Sequence, residues 1–294
     1  MAAALNNPKG ILLMGIAMAF FGAADTVAKF FSDLYPTLQV VGMRQMGLVT
    51  GVIVYALVTR KLSLRTDQVG LQLLRGVFAT SSAFLFVLGL SFIPLADATA
   101  IACVAPLFVT VMGYFILGEP VGLRRWTAVV IGFMGTLIII RPGFSSFEFG
   151  HVFIVCAASL FAARQIISRF LSSTDNTMTT VAYTAITSAG ILLAIMPFVW
   201  QPIQSLEHLG LFILFALTAG AGEILVIKAL EIAHAVVVAP LQYTILIWVT
   251  MYGFLFLGVF PDGLTFLGAF VIMASGGYTL LREHQVKKAA QRRS

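Results

Sequence analysis

The sequence predicts an all-α polytopic membrane protein, with ten transmembrane helices arranged as two inverted five-helix repeats around a central cavity. Three observations predict it. Of the 294 residues, 60% are hydrophobic and only 10% are charged, whereas an ordinary soluble domain carries about 25% charged residues. The apolar residues gather into ten runs of about the 20 residues that cross a bilayer. The runs also repeat along the chain, five against five.

The ten spans read as roughly 10–31, 37–58, 69–90, 94–117, 123–141, 149–170, 178–200, 208–230, 235–257 and 263–282. The turns between them are short, so residues 1–294 form a single transmembrane domain with no room for a soluble one. Helices are the economical choice, because backbone facing lipid must be hydrogen-bonded within its own segment. The first span follows Lys9 and outruns a secretory signal, so it is read as a retained helix. The fourth and ninth spans contain Pro106 and Pro240, which free the carbonyls of Ala102 and Val236. A helix lining a cavity gains a bend and an acceptor from that; a helix facing lipid gains nothing. Cys103 and Cys156 both fall inside spans, which predicts free thiols.

Charge placement sets the orientation. Thirteen of the Lys and Arg residues lie at one set of span ends: Lys9, Arg60, Lys61, Arg65, Arg124, Arg125, Arg169, Lys228, Arg282, Lys287, Lys288, Arg292 and Arg293. Lys29 and Arg141 lie at the other. The positive-inside bias then puts both termini in the cytoplasm. The net charge of +6 follows from this topology, with residues 283–294 a basic cytoplasmic tail, and it argues against nucleic acid as a partner.

The repeat has an offset of 140 positions. It sets Gly10 on Gly150, Ala17 on Ala157, Phe21 on Phe161, Phe30 on Phe170, Leu90 on Leu230 and Gly118 on Gly258. The halves are 10–142 and 149–282, each of five spans. Five is odd, so the second half enters the membrane upside down. The turn after Gly118 is then cytoplasmic and keeps Arg124 and Arg125, while the turn after Gly258 is external and holds only Asp262. Many secondary transporters use such inverted halves for alternating access.

Ionisable or polar groups deep in a span are expensive, and they mark candidate sites. Phe21, Asp25 and Lys29 share one face of the first helix at i, i+4, i+8, and the repeat turns them into Phe161, Gln165 and Arg169. Two such faces would bracket a cavity from its two ends. The plainer reading is a local Asp25–Lys29 pair, with both cations reaching for the membrane surface. Glu223 sits inside the eighth span, beside Ala216, Ala219 and Gly220, a small-residue face suited to close helix packing. It suits proton coupling or cation recognition. Arg44 and Arg75 read as snorkelling or structural ion-pair residues; Arg164 reads equally as site or structure. Thr99 and Cys103 share a face with Pro106, Gln242 and Tyr243 follow Pro240, and Ser82 adds a hydroxyl in the third span. Trp248 and Tyr252 read as packing residues.

Enzyme chemistry finds no support: there is no serine-hydrolase elbow, no His-Glu-x-x-His and no phosphate loop. The four histidines, at 151, 208, 234 and 284, lie near span ends, which argues against a buried metal. A channel would show a continuous polar stripe or a selectivity loop. A transporter driven by gradients remains, with no cofactor, a small-molecule substrate, and a proton or other ion as candidate coupling partner.

"LADATAIACVAPLFVTVMGYFILGEPVGLRRWTAVVIGFMGTLIIIRPG" resembles the end of the first half in the drug/metabolite transporter superfamily, EamA type. "ALEIAHAVVVAPLQYTILIWVTMYGFLFLG" is similar to the matching stretch of the second half, and "DTVAKF", "RQMG" and "QLLRG" resemble common forms of the group. The resemblance implies ten helices in two inverted repeats, with a cavity lined by spans 1, 3, 4, 6, 8 and 9. It implies export of small amphipathic metabolites, amino acids including aromatic ones, across the inner membrane; the superfamily also contains vitamin importers. Two departures stand out. "AFFGAAD" has no tryptophan where many members carry one, and Val259 replaces the glutamate expected after Gly258. Glu119, in the "LGEP" turn, reads as a turn carboxylate near Arg124 and Arg125.

Overall fold

The computed structural model describes residues 6–60, 62–118, 122–141, 148–171, 174–233 and 238–291. Lys61, Glu119, His234, Val236, Arg292 and Arg293 therefore lie outside the described residues, as do the side chains of Arg125, Pro240 and the tail from residue 279 onward. Every regular element among the described residues is helical. They are α1 (Asn7–Ser32), α2 (Thr37–Thr59), α3 (Val69–Leu90), α4 (Leu95–Ala102), α5 (Ala105–Leu117), α6 (Leu123–Ile140), α7 (Phe149–Leu171), α8 (Thr177–Val199), α9 (Leu206–Ile232), a 3-10 segment (Ala239–Thr244), α10 (Ile245–Leu257) and α11 (Gly263–Gln291). Among the described residues, seven helical segments are long and apolar enough to cross a membrane, α4 and α5 together counting as one; Trp126–Ile140, Leu241–Leu257 and Gly263–Tyr278 are shorter apolar helices. The chain is a multi-pass helical membrane protein.

Local chemistry sets the ends. Asn6 caps α1, its side chain accepting from Lys9 N at 3.0 Å, and Ser205 caps α9 by accepting from His208 N at 3.1 Å. These caps satisfy donors that the first helical turn leaves open. α5 and α10 both stop at a left-handed glycine, Gly118 with φ 65° and Gly258 with φ 68°, a conformation that costs glycine nothing. The fourth span breaks where Pro106 predicts. α4 ends at Ala102, Val104 N turns back to Ile101 O at 3.0 Å, and α5 starts at Ala105. The ninth span, around Pro240, opens as a 3-10 turn.

The bundle has two ends, which the contacts identify. Asn6 N donates to Ile232 O at 2.7 Å, so α1 begins where α9 finishes. Ser91 Oγ donates to Ser32 O at 3.2 Å, so α1 and α3 finish together at the opposite, distal end. α7 starts at that distal end, where a side chain on Gly150 would run into Phe92 and Ile93. α7 therefore runs against α1, its counterpart in the sequence repeat.

The main helix pairings survive exchange of the two halves. α1 packs on α9, and α3 on α7; α2 packs on α9, and α3 on α8; α1 packs on α10, and α7 on α4 and α5. The remaining large contacts, α6 with α11 and α2 with α8, map onto themselves. The core lies along these seams, around Phe31, Leu90, Ile101, Phe212, Phe215 and Ile272. At the α2–α9 crossing the backbones touch. A Cβ on Gly47 would sit 1.8 Å from Ala216 O, and one on Gly220 would sit 2.6 Å from Gly47 O. The small face that leads to Glu223 is thus a true close approach, which only small residues permit.

Each end is tied by a cluster built from repeat-equivalent positions. At the distal end, Gln39 donates to Gln201 O at 2.9 Å and accepts from Gln201 N at 2.8 Å. Beside it Tyr35 Oη lies 2.8 Å from His208 Nδ1 and accepts from Gln204 N at 3.0 Å, and Phe31 stacks on Phe212 with centroids 4.0 Å apart. At the end that holds the amino terminus, Thr179 donates to Ser63 O at 2.7 Å and Tyr183 to Leu64 O at 3.0 Å. Asp175 accepts there from Thr66 and from Gln72, both at 2.6 Å.

Candidate functional site

Five ionisable side chains enter the bundle interior from five helices drawn from both halves. Asp25 of α1 is 6% exposed and lies 3.9 Å from Nη2 of Arg44 on α2. Arg75 of α3 is buried and donates through Nε to Ser168 Oγ of α7 at 2.7 Å, and through Nη1 to Thr184 Oγ1 and Thr180 O of α8. Arg164 of α7 stacks on Phe161, its Cζ 4.5 Å from the ring centroid, and its buried Nε has no hydrogen-bond partner. Glu223 of α9 lies within electrostatic range of both Arg75 and Arg164, and Arg164 within range of Arg44. Three guanidiniums thus face two carboxylates where the surroundings screen charge poorly.

Two readings are corrected here. Asp25 does not rely on Lys29: that ammonium donates to Leu90 O and caps the end of α3, a favourable place for a cation. Asp25 turns instead to a different helix. Nor does Arg75 snorkel. Of its two readings, snorkelling or a structural ion pair, the first gives way: α7 and α8 close over it and take up its donors. Arg44 does hold the ion pair that was one of its two readings.

The other sequence candidates fall into distinct places. Phe21 packs on α9, where a Cβ on Gly222 would meet its ring at 3.0 Å. Gln165 is half-buried beside Arg164 on α7. Ser82 donates to Ala157 O at 2.8 Å and closes the α3–α7 seam; Thr99 returns its hydroxyl to Leu95 O at 2.9 Å within its own helix. Cys103 and Tyr243 come near one another where the fourth and ninth spans break. Tyr243 pushes its hydroxyl into the gap left by Gly276 on α11, and Gln242 is half-buried beside it. Both cysteines are free. His151 stays with Glu148 at the start of α7. Among the described residues, no three His, Cys, Asp or Glu side chains gather in a way that could hold a metal.

Sequence reasoning also missed a polar ladder. Gln45 donates to Ser188 at 2.9 Å, Thr80 donates to Ser188 at 3.0 Å, and Ser188 donates to Thr184 O at 2.7 Å, linking α2, α3 and α8 beside Arg75. The available signal was the density of Ser and Thr in "TTVAYTAITS". What the whole arrangement offers chemically is selective solvation of charge within a membrane.

Known proteins resemble the chain along almost its entire length. It is 30% identical to a riboflavin transporter of Vibrio cholerae, over 97% of this chain and 97% of that one. It is 25% identical to an S-adenosylmethionine uptake transporter of Rickettsia prowazekii, over 93% of each. It is 26% identical to a pseudopaline exporter of Pseudomonas aeruginosa, over 90% of this chain and 94% of that one. A solved crystal structure superposes with a TM-score of 0.66 at 14% identity, covering 96% of this chain and 99% of the other, a likeness of fold. The model of the EamA-like transporter family matches twice, once over each half of the repeat, at residues 8–141 and 148–279, and the chain therefore belongs to that family.

Proposed function

We propose that the protein is a secondary transporter of the inner membrane that exports small amphipathic metabolites, amino acids including aromatic ones, by alternating access. Ten spans form two inverted five-helix halves in this reading, both termini are cytoplasmic, and α1, α3, α4–α5, α7, α9 and α10 line a central cavity. Phe21, Asp25, Ser82, Thr99, Cys103, Gln165, Glu223, Gln242 and Tyr243 are the proposed lining, with a proton or another ion as coupling partner. The observation that carries the reading is the meeting of Asp25, Arg44, Arg75, Arg164 and Glu223 from both halves inside one bundle. Such groups are costly in a membrane, and where they occur they mark substrate and ion pathways.

Import of a vitamin-like or other ring-bearing metabolite is the second reading. The names of the Vibrio and Rickettsia relatives favour it, since riboflavin and S-adenosylmethionine both carry fused aromatic rings. Uptake into proteoliposomes across amino acids, riboflavin and S-adenosylmethionine, in both gradient directions, separates the two. Flux of every solute equal to that of empty liposomes would sink both. In the export reading, Asp25→Asn, Gln165→Ala and Glu223→Gln each lower transport per folded molecule. Tags at the termini and beside Arg60 should report from the cytoplasm and one beside Asp262 from outside; the "Leu-Gly" turns at 118 and 258 on one side would remove the inverted halves.

A further inference from the structure

We infer that Arg164 is the seat for a carboxylate of the transported solute, so that the cargo is a small organic acid or zwitterion rather than a neutral or purely cationic molecule. This rests on the transporter reading above and adds the chemical class to it.

The charge balance of the interior motivates it. Arg44 has Asp25 at 3.9 Å. Arg75 spends its donors on Ser168, Thr184 and Thr180. Arg164 has neither: among the described residues no carboxylate lies within 4.0 Å of it, and its buried Nε donates to nothing. Glu223 is the other carboxylate in electrostatic range of Arg75 and Arg164, and among the described residues it lies within 4.0 Å of neither. One positive charge is left over. A guanidinium with no carboxylate beside it inside a membrane-spanning bundle is costly, and the carboxylate of a bound solute would pair with it locally.

Geometry points the same way. The guanidinium carbon lies over the Phe161 ring, 4.5 Å from its centroid. No protein acceptor among the described residues takes up its N–H donors, and a carboxylate matches a guanidinium fork with two parallel hydrogen bonds. An apolar body has neighbouring surface to lie on, since Phe161 belongs to a half-buried cluster with Phe108, Val111 and Phe133 of α5 and α6.

The test uses the full-length protein in detergent and in proteoliposomes, with four probes on one skeleton: 3-phenylpropionate, phenylalanine, 3-phenylpropionamide and phenethylamine. The acids should raise the unfolding temperature at concentrations at least tenfold below any effect of the amide or amine. Arg164→Gln should abolish that preference, and Arg164→Lys should keep part of it, because charge survives while the fork is lost. If the amide matches the acid on wild-type protein, if neither acid stabilises it, or if Arg164→Gln binds the acids unchanged, the seat is overturned. The wild-type comparison decides even where Arg164→Gln does not fold. Uptake of amide and acid at equal rates would end the carboxylate seat and leave the transporter reading standing. Binding of the acids without uptake of any probe would do the reverse.

Discussion

Replacing Asp25 by asparagine removes one half of the inter-helix pair that ties α1 to α2. The carboxylate and the Arg44 guanidinium are 3.9 Å apart, and their side chains are 9% and 21% exposed. At that distance, with an effective dielectric constant of about 20, their attraction is about 4 kcal/mol. Removing one partner of a buried pair typically costs about 3–5 kcal/mol, because the other charge stays behind unpaired. Asp25→Asn and Arg44→Gln should therefore each destabilise by about that much, with Arg44→Gln the more harmful, since it strands the more deeply buried charge. The double variant strands neither and should recover most of the loss, a coupling of at least about 2 kcal/mol. Chemical unfolding in detergent, followed by tryptophan fluorescence, gives the four corners of the cycle. Additivity to within about 0.5 kcal/mol would refute the pair. The Lys29 alternative is tested on the same plate: Lys29→Met should not rescue Asp25→Asn, because that ammonium is committed to Leu90 O.

Three further outcomes are expected. Gly47→Ala places a methyl group 1.8 Å from Ala216 O, so α2 and α9 must part by more than an ångström. The cost should be about 3 kcal/mol, read as a lower unfolding temperature with lost transport through the displaced Glu223. Asp262, in the turn before α11, is held down to a pKa of about 2, chiefly by its hydrogen bond from Arg141. A depressed carboxylate stabilises fully above its unfolded pKa of about 3.9 and loses that contribution as pH falls towards 2. Thermal unfolding from pH 5 to pH 2 should therefore show a decline that Asp262→Asn flattens. Finally, Gln39→Ala removes two hydrogen bonds to the Gln201 backbone and should speed hydrogen exchange at residues 200–205 while leaving the Thr179–Ser63 end unchanged.

The helices were largely legible because hydropathy and proline act locally. Most span limits fall within a few residues of the apolar runs, although α11 continues to Gln291, well past the tenth run, and the break in the fourth span sits where Pro106 denies a donor. Partners across helices were not legible. Helical periodicity places Lys29 one turn from Asp25, but it cannot show that Arg44, across the turn on α2, lies closer in space. Depth along a span says nothing about which direction around the helix a side chain faces, and for that reason Arg75 read as either a snorkelling cation or a structural one. Hydroxyls mislead in the opposite sense. Thr99 can satisfy itself on the carbonyl one turn back, so a threonine in a membrane helix is weak testimony for a cavity. The unpaired state of Arg164 was invisible too, since it depends on what four other helices fail to bring near.

The ties at the two ends of the bundle occupy equivalent places in the repeat but are made of different material. Tyr35, His208 and a stacked pair of phenylalanines hold one end; Asp175 with Gln72 and Thr66 holds the other. Under the alternating access proposed above, a molecule of two identical halves would rest equally in its two opened forms, as a balanced seesaw does. Unlike ends tilt the board. A difference of about 1.4 kcal/mol between breaking one tie and breaking the other favours one resting form tenfold. Because the ties share no residue, substitutions at either end can reset that tilt without touching the charged groups midway along the helices.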